Sequence, residues 1–234
     1  IKVAGGTCVG INTQGGYRQV VYLNKQVTVR GAYNDDWTTT DPDGNPTTID
    51  AQGGGRALYV TGNVSPMLEN LRFTGGDAAG LGGAGWTGSG GGVCVNAASP
   101  TFSNTHFLQN AAVRGAGLFV QSSGALVVGS RFYSNTASLR GGGVYVYQST
   151  ATFNNNRFYA NTATSTGGGI YVYLGAPVFN ANFITGNTSN EGGGGYLDST
   201  APRFYNTVIV DNRASERGGG LYIGGSSPHL WHTT

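Results

Sequence analysis

Aromatic residues recur in this chain at an interval that prepares them for stacking. Phe119, Tyr145, Tyr171, Tyr196 and Tyr222 occupy one position of a unit repeating every 25 or 26 residues, with Cys94 at its start; Tyr147 and Tyr173 follow two residues further on. Rings held in such a row stack on sugar faces or on another protein. They also form a ladder that stabilises a sheet by itself. Cations recur in the same manner. Arg72, His106, Arg131 and Arg157 are equivalent positions, and Arg114, Arg140, Glu191 and Arg217 form a second series just ahead of a glycine cluster. Solvated charges of this kind discourage edge pairing, and they also suit contact with an acidic glycan or lipopolysaccharide.

The carboxylates follow a different pattern. Glycoside cleavage by acid and base needs two carboxyl groups flanking the linkage. In the regular repeats the acids are Glu191, Asp198, Asp211 and Glu216, and none recurs at a matching position of the adjacent repeat; Asp35-Asp36 precedes the repeats altogether. The loop Asp41-Pro42-Asp43-Gly44-Asn45, taken with Asp50, has the composition of a calcium loop but not EF-hand spacing. An exposed turn built from Pro, Asp and Gly is its plain reading, with Ca2+ binding by Asp41, Asp43 and Asp50 as the alternative. No other cofactor is implied, because the glycine triplets lack the strand–GxGxxG–helix setting of a nucleotide site.

The repeat itself positions these residues. Similar segments open at Gly90 (GGGVCV), Gly115 (GAGLFV), Gly141 (GGGVYV), Gly167 (GGGIYV), Gly192 (GGGGYL) and Gly218 (GGGLYI). A period in this range is that of a solenoid whose units pack only on their neighbours. After each glycine cluster apolar residues alternate, as in a strand. Two further short strands carry the columns Phe102, Val127, Phe153, Phe179, Phe204 and Phe107, Phe132, Phe158, Ile184, Ile209. A third column, Asn110, Asn135, Asn161, Asn187 and Asn212, predicts an amide ladder at a left-handed corner. The expectation is an all-β parallel coil with three short strands per turn and roughly eight turns. Residues 1–52 would form irregular first coils, 53–89 a coil with a Gly-rich insertion, 90–217 the regular coils and 218–234 an incomplete last one, all in one domain.

Composition excludes several classes. Glycine supplies 42 of 234 residues without a Gly-X-Y period, so the chain is not collagenous. A net charge of +2 is too small to call for nucleic acid. No apolar run reaches the roughly 20 residues of a membrane-crossing helix, so membrane insertion is not expected. Cys8 and Cys94 are read either as a disulfide or as two free thiols.

The GGG-[VIL]-Y-[VI] opening, the F-x-N-x-x-F core and the closing N-T-A resemble right-handed parallel β-helix repeats. Such repeats occur in bacterial extracellular proteins, in surface adhesin passenger regions and in the pectate-lyase-like superfamily. IKVAGGTCVG and VVYLNKQVTVRGAY look like the first coils of such proteins. The resemblance implies a secreted or cell-surface location, bacterial in origin. Relatives that cleave polysaccharides use clustered carboxylates, Ca2+ with an Arg or Lys base, or N-T-D, D-D, G-H-G and R-I-K segments; three of those four segments are absent here. The expectation is therefore a non-enzymatic extracellular scaffold for adhesion, glycan binding or self-assembly, its ligand on the ring column. A polysaccharide lyase or glycoside hydrolase, or a non-catalytic part of one, is the alternative. The chain opens in a strand and stops inside a coil, so a fragment of a longer protein, able to associate end to end, is also expected.

Overall fold

In the computed structural model, which describes residues 1–82 and 86–234, each repeat makes one circuit and lies flush on the circuit before it. Of the Gly-rich insertion, residues 83–85 thus fall outside the described residues. The solenoid makes about nine turns. One regular circuit shows the order of elements. Val144–Tyr147 belongs to sheet I, Thr152–Asn154 to sheet II and Arg157–Tyr159 to sheet III; Thr162–Ala163 then leads back to the glycines. Sheets I and II each hold nine strands and sheet III eight. The last segment is an addition to the three expected strands. With Ala111–Arg114, Thr136–Arg140, Thr188–Glu191 and Arg213–Arg217 it forms a five-stranded sheet IV. The main ladders are parallel; Asn12–Gln14 is the exception, running antiparallel on Tyr17–Leu23 at the start of sheet I.

In the regular coils register is one-to-one in sheets I, II and III, so like sits on like; sheet IV bulges between Ala112 and Arg114 and between Ser189 and Glu191. Phe107 pairs with Phe132 and Phe132 with Phe158 on sheet III. Their rings stack at 4.4 and 4.7 Å with nearly parallel planes. Phe153, Phe179 and Phe204 repeat this on sheet II at 4.9 and 4.7 Å. With Val144, Val146, Ile170 and Val172 of sheet I they form one continuous apolar core. Each such side chain contributes roughly 1.5–3 kcal/mol by burial.

Tight coiling requires glycine at defined points. Gly141, Gly167 and Gly192 turn the corner with φ of 65°, 68° and 63°. A Cβ on Gly143 would meet the carbonyl oxygen of Gly169 in the next coil at 2.6 Å. The triplet thus combines a left-handed corner with backbones too close for any side chain.

The asparagine column differs from expectation in one respect. Asn110, Asn135, Asn161 and Asn187 are buried, and the left-handed residue is the one before each: Gln109, Ser134, Ala160 and Gly186. The amides turn inward and are fully used. Asn135 Nδ2 donates to Phe107 O (2.9 Å) and to Asn161 Oδ1 (2.9 Å), and its own Oδ1 accepts from the backbone N (3.1 Å) and Nδ2 (3.0 Å) of Asn110. A second ladder sits at the sheet II–III corner. Asn156 Nδ2 donates to Asn182 Oδ1 at 3.1 Å and to Val127 O at 3.0 Å, with Ser130 and Thr207 at the neighbouring positions. The asparagines that do adopt the left-handed conformation are Asn70, Asn104, Asn155 and Asn206, whose column also includes Ala181 at φ 53°.

Two outcomes follow. Asn161→Ala strands the amide of Asn135 and the carbonyl of Phe132 inside the core, and should cost about 3 kcal/mol in a urea titration. Ala181→Asn, which gives an exposed left-handed position the residue its column neighbours carry, should add about 1 kcal/mol in the same measurement.

Candidate functional site

The ring column of sheet I points away from the apolar core, as strand alternation requires, yet much of it is closed off from solvent. Phe119, Tyr145 and Tyr171 are buried, while Tyr147, Tyr173, Tyr196 and Tyr222 are half-buried. The expectation of a ligand on the ring column is therefore corrected for Phe119, Tyr145 and Tyr171, which are closed off from solvent and present no free face. The cause is the second arginine series. Ser89, Arg114, Arg140, Thr166, Glu191 and Arg217 form one ladder column at the end of sheet IV, beside the rings. Arg140 lies over the Tyr171 ring at 5.2 Å and Arg217 over Tyr222 at 5.9 Å. Arg114 lies over Trp86 at 4.7 Å, and Trp86, from the Gly-rich insertion, meets Tyr147 edge-on at 5.6 Å. Arg114 and Arg140 thus cover rings as well as meeting solvent, in favourable cation–π contacts.

Burial also fixes the protonation of this layer. It pushes the Tyr145 phenol up to about 12, the nearby Arg140 acting in the opposite direction, and it raises the Tyr171 phenol as well. Both are neutral at physiological pH and unsuited to act as bases. Tyr171 Oη donates to Asp198 Oδ2 at 2.9 Å, and Ser199 Oγ donates to Asp198 Oδ1 at 3.0 Å. Glu191 is paired with Arg217 at 3.2 Å. Both carboxylates nearest the rings therefore already have partners. Asp198 continues the column of Tyr147 and Tyr173, an alignment the sequence comparison of acids alone had missed. Cys94 stands buried between Tyr59 and Phe119, its thiol pushed up to about 11 by burial, and both it and the exposed Cys8 are free.

The proposed calcium loop does not gather its carboxylates. Asp41 Oδ1 accepts from Gly44 N at 2.8 Å, Asp50 Oδ1 from Gln52 N at 2.9 Å, and Asp43 faces Arg72 at 3.9 Å. Among the described residues no three His, Cys, Asp or Glu side chains form a metal-holding group. The turn reading accounts for Asp41, Asp43 and Asp50, which satisfy local backbone donors and one arginine.

Sheet III carries the first arginine series in register, Arg72 to His106 to Arg131 to Arg157, followed by Phe183. Arg72 is tied down by Asp43 and donates to Pro42 O at 2.7 Å. His106 is only 6% exposed; burial, then the charges of Arg131 and Arg72, push it down to about 4. Two residues along, Tyr133 and Tyr159 stack at 5.1 Å. A groove of about 360 Å³ is lined by Arg131, Arg157, Tyr159, Phe183 and Thr185, and one of about 220 Å³ by Gly129, Ser130, Arg131, Asn155 and Arg157.

A family model described as right handed beta helix region matches residues 44–228. The chain belongs to this right-handed β-helix family. The match agrees with the parallel coil seen here and is consistent with the pectate-lyase-like superfamily. No curated protein and no solved structure matches the chain. A β-helix carries many activities, so membership fixes fold and leaves chemistry to the faces of this one.

The buried histidine generates a pH test. Between about 6.5, its ordinary value, and about 4, the unfolded chain binds a proton that the folded chain refuses. Stability should therefore fall as pH falls through that window, by on the order of 2 kcal/mol. His106→Gln should remove this part of the dependence when urea midpoints at pH 7 and 4.5 are compared with those of the parent.

Proposed function

We propose that this β-helix is a non-enzymatic extracellular or cell-surface scaffold that binds polysaccharide along the outer face of sheet I. The observation that carries the reading is the strip left accessible beside the buried rings. Tyr147 and Tyr173 stack at 5.6 Å and 11°, Asp198 follows in the same column, and Tyr196 and Tyr222 stack at 4.8 Å alongside. Half-exposed rings stacked at the coil interval of about 4.8 Å present a row of apolar ring edges and phenol hydroxyls along which a glycan chain can lie. Asp198 and the phenol hydroxyls supply hydrogen bonds to sugar hydroxyls.

Binding is favoured over turnover by the state of the carboxylates. Asp198 accepts from Tyr171 and Ser199, and Glu191 is neutralised by Arg217. Acid–base hydrolysis needs one carboxyl group free to donate and one free to attack or activate water. The extended, repetitive surface suits retention of a long polymer at several points, which multiplies weak contacts.

Tyr147→Ala with Tyr173→Ala should weaken retention on neutral polysaccharides at least tenfold in affinity electrophoresis, with the fold intact by circular dichroism. No oligosaccharide should be released from the same panel. Release of reducing ends or of unsaturated products absorbing in the ultraviolet would favour the lyase or hydrolase reading instead.

A further inference from the structure

We infer that sheet III carries a second site, which takes a sugar bearing a tetrahedral oxyanion ester, sulfate or phosphate, between Arg131 and Arg157. The site lies on a different sheet from the ring strip and does not rest on the reading given for it.

The cation series divides by coil. Arg72 is held by Asp43 and by the carbonyl of Pro42. His106 is buried against its neighbours. Arg131 and Arg157 come next, paired in register one coil apart and exposed. Among the described residues, neither guanidinium has a carboxylate partner or a hydrogen-bond acceptor, and both line the same two grooves. Two like charges at this spacing repel, and an anion seated between them relieves the repulsion.

The geometry selects the anion. A carboxylate is planar, carries one charge and is satisfied by a single guanidinium fork. A phosphate or sulfate monoester presents three free oxygens and meets two forks at once. The surroundings select what bears it. On one side of the arginines the groove is floored by Tyr159 and by Phe183, which is 40% exposed. An apolar floor one step from the charges fits a pyranose face. On the other side the backbone of Gly129 and the exposed Asn155 offer a polar wall for hydroxyl groups. Two free cations on a chain of net charge +2 are too few for a nucleic-acid backbone, whose binding grows with many phosphate contacts.

The test is a set of titrations of the full chain at low salt with dextran sulfate, phosphomannan oligosaccharide, unmodified dextran, oligogalacturonate and an oligothymidylate. Dextran sulfate or phosphomannan should bind at least tenfold more tightly than dextran and oligogalacturonate; which of the two binds better names the ester. Arg131→Gln with Arg157→Gln should remove at least tenfold of that affinity and most of its salt dependence. Both positions are exposed, and an unchanged urea midpoint will verify folding. Tyr147→Ala with Tyr173→Ala should leave this binding intact, so loss at one face is distinguishable from loss at the other. The inference is overturned if neither esterified glycan binds, if the arginine variant binds like the parent, if oligogalacturonate binds equally well, or if the oligonucleotide binds most tightly.

Discussion

Every coil of this molecule depends on hydrogen bonds that it cannot make alone. Its strand amides and carbonyls point along the axis, and the coils above and below are their only partners. The same holds for the side-chain amides: Asn135 is satisfied by Phe107 and Asn110 in the preceding coil and by Asn161 in the next. A buried amide without a partner costs about 1–3 kcal/mol, so each circuit is held in register by the penalty of leaving it. The stacked phenylalanines follow from that register and add dispersion and burial to it.

In-register stacking acts without regard to residue type, and this governs the surface as much as the core. It benefits rings and amides and penalises charges, at about 1 kcal/mol for a pair at this spacing in water. The cation columns show how the chain responds. Asp43 accompanies Arg72, a buried histidine follows, and Glu191 pairs with Arg217. Where rings lie alongside, Arg140 and Arg217 rest on them. Arg131 over Arg157 lacks each of these devices.

The path of the coil was legible because a solenoid writes its geometry into period. The positions of Phe107, Phe132 and Phe158, or of Val144 and Val146, give register and inward face without reference to distant residues. Three features were not legible, each for a physical reason. Thr162-Ala163 has no apolar alternation, so sheet IV left no strand signature. The second amide ladder is interrupted by Ser130 and Thr207, hydroxyl residues that fill the same hydrogen-bonding place under other letters. The burial of Tyr145 and Tyr171 depends on Arg140 and on side chains outside the strand, among them Trp86 of an insertion about 60 residues earlier in sequence than Tyr147. Alternation shows only that a ring leaves the core; whether it then meets water is decided by what lies across it.

The triplet glycine corners have a consequence for how such a chain can change length. Circuits of 25 and 26 residues already coexist because sheet IV takes up the odd residue as a bulge, between Ala112 and Arg114 and again between Ser189 and Glu191. One residue added or deleted within a strand of sheets I to III has no such outlet, and would set phenylalanine over arginine and strand amides. Gain or loss of a whole circuit disturbs only the junction, since Gly143 meets Gly169 as Gly169 meets Gly194. Segmental duplication and a one-residue change at the sheet IV bulge are therefore the tolerated events and the indel inside a ladder strand the punished one, which makes the complete circuit the unit of heredity in this molecule.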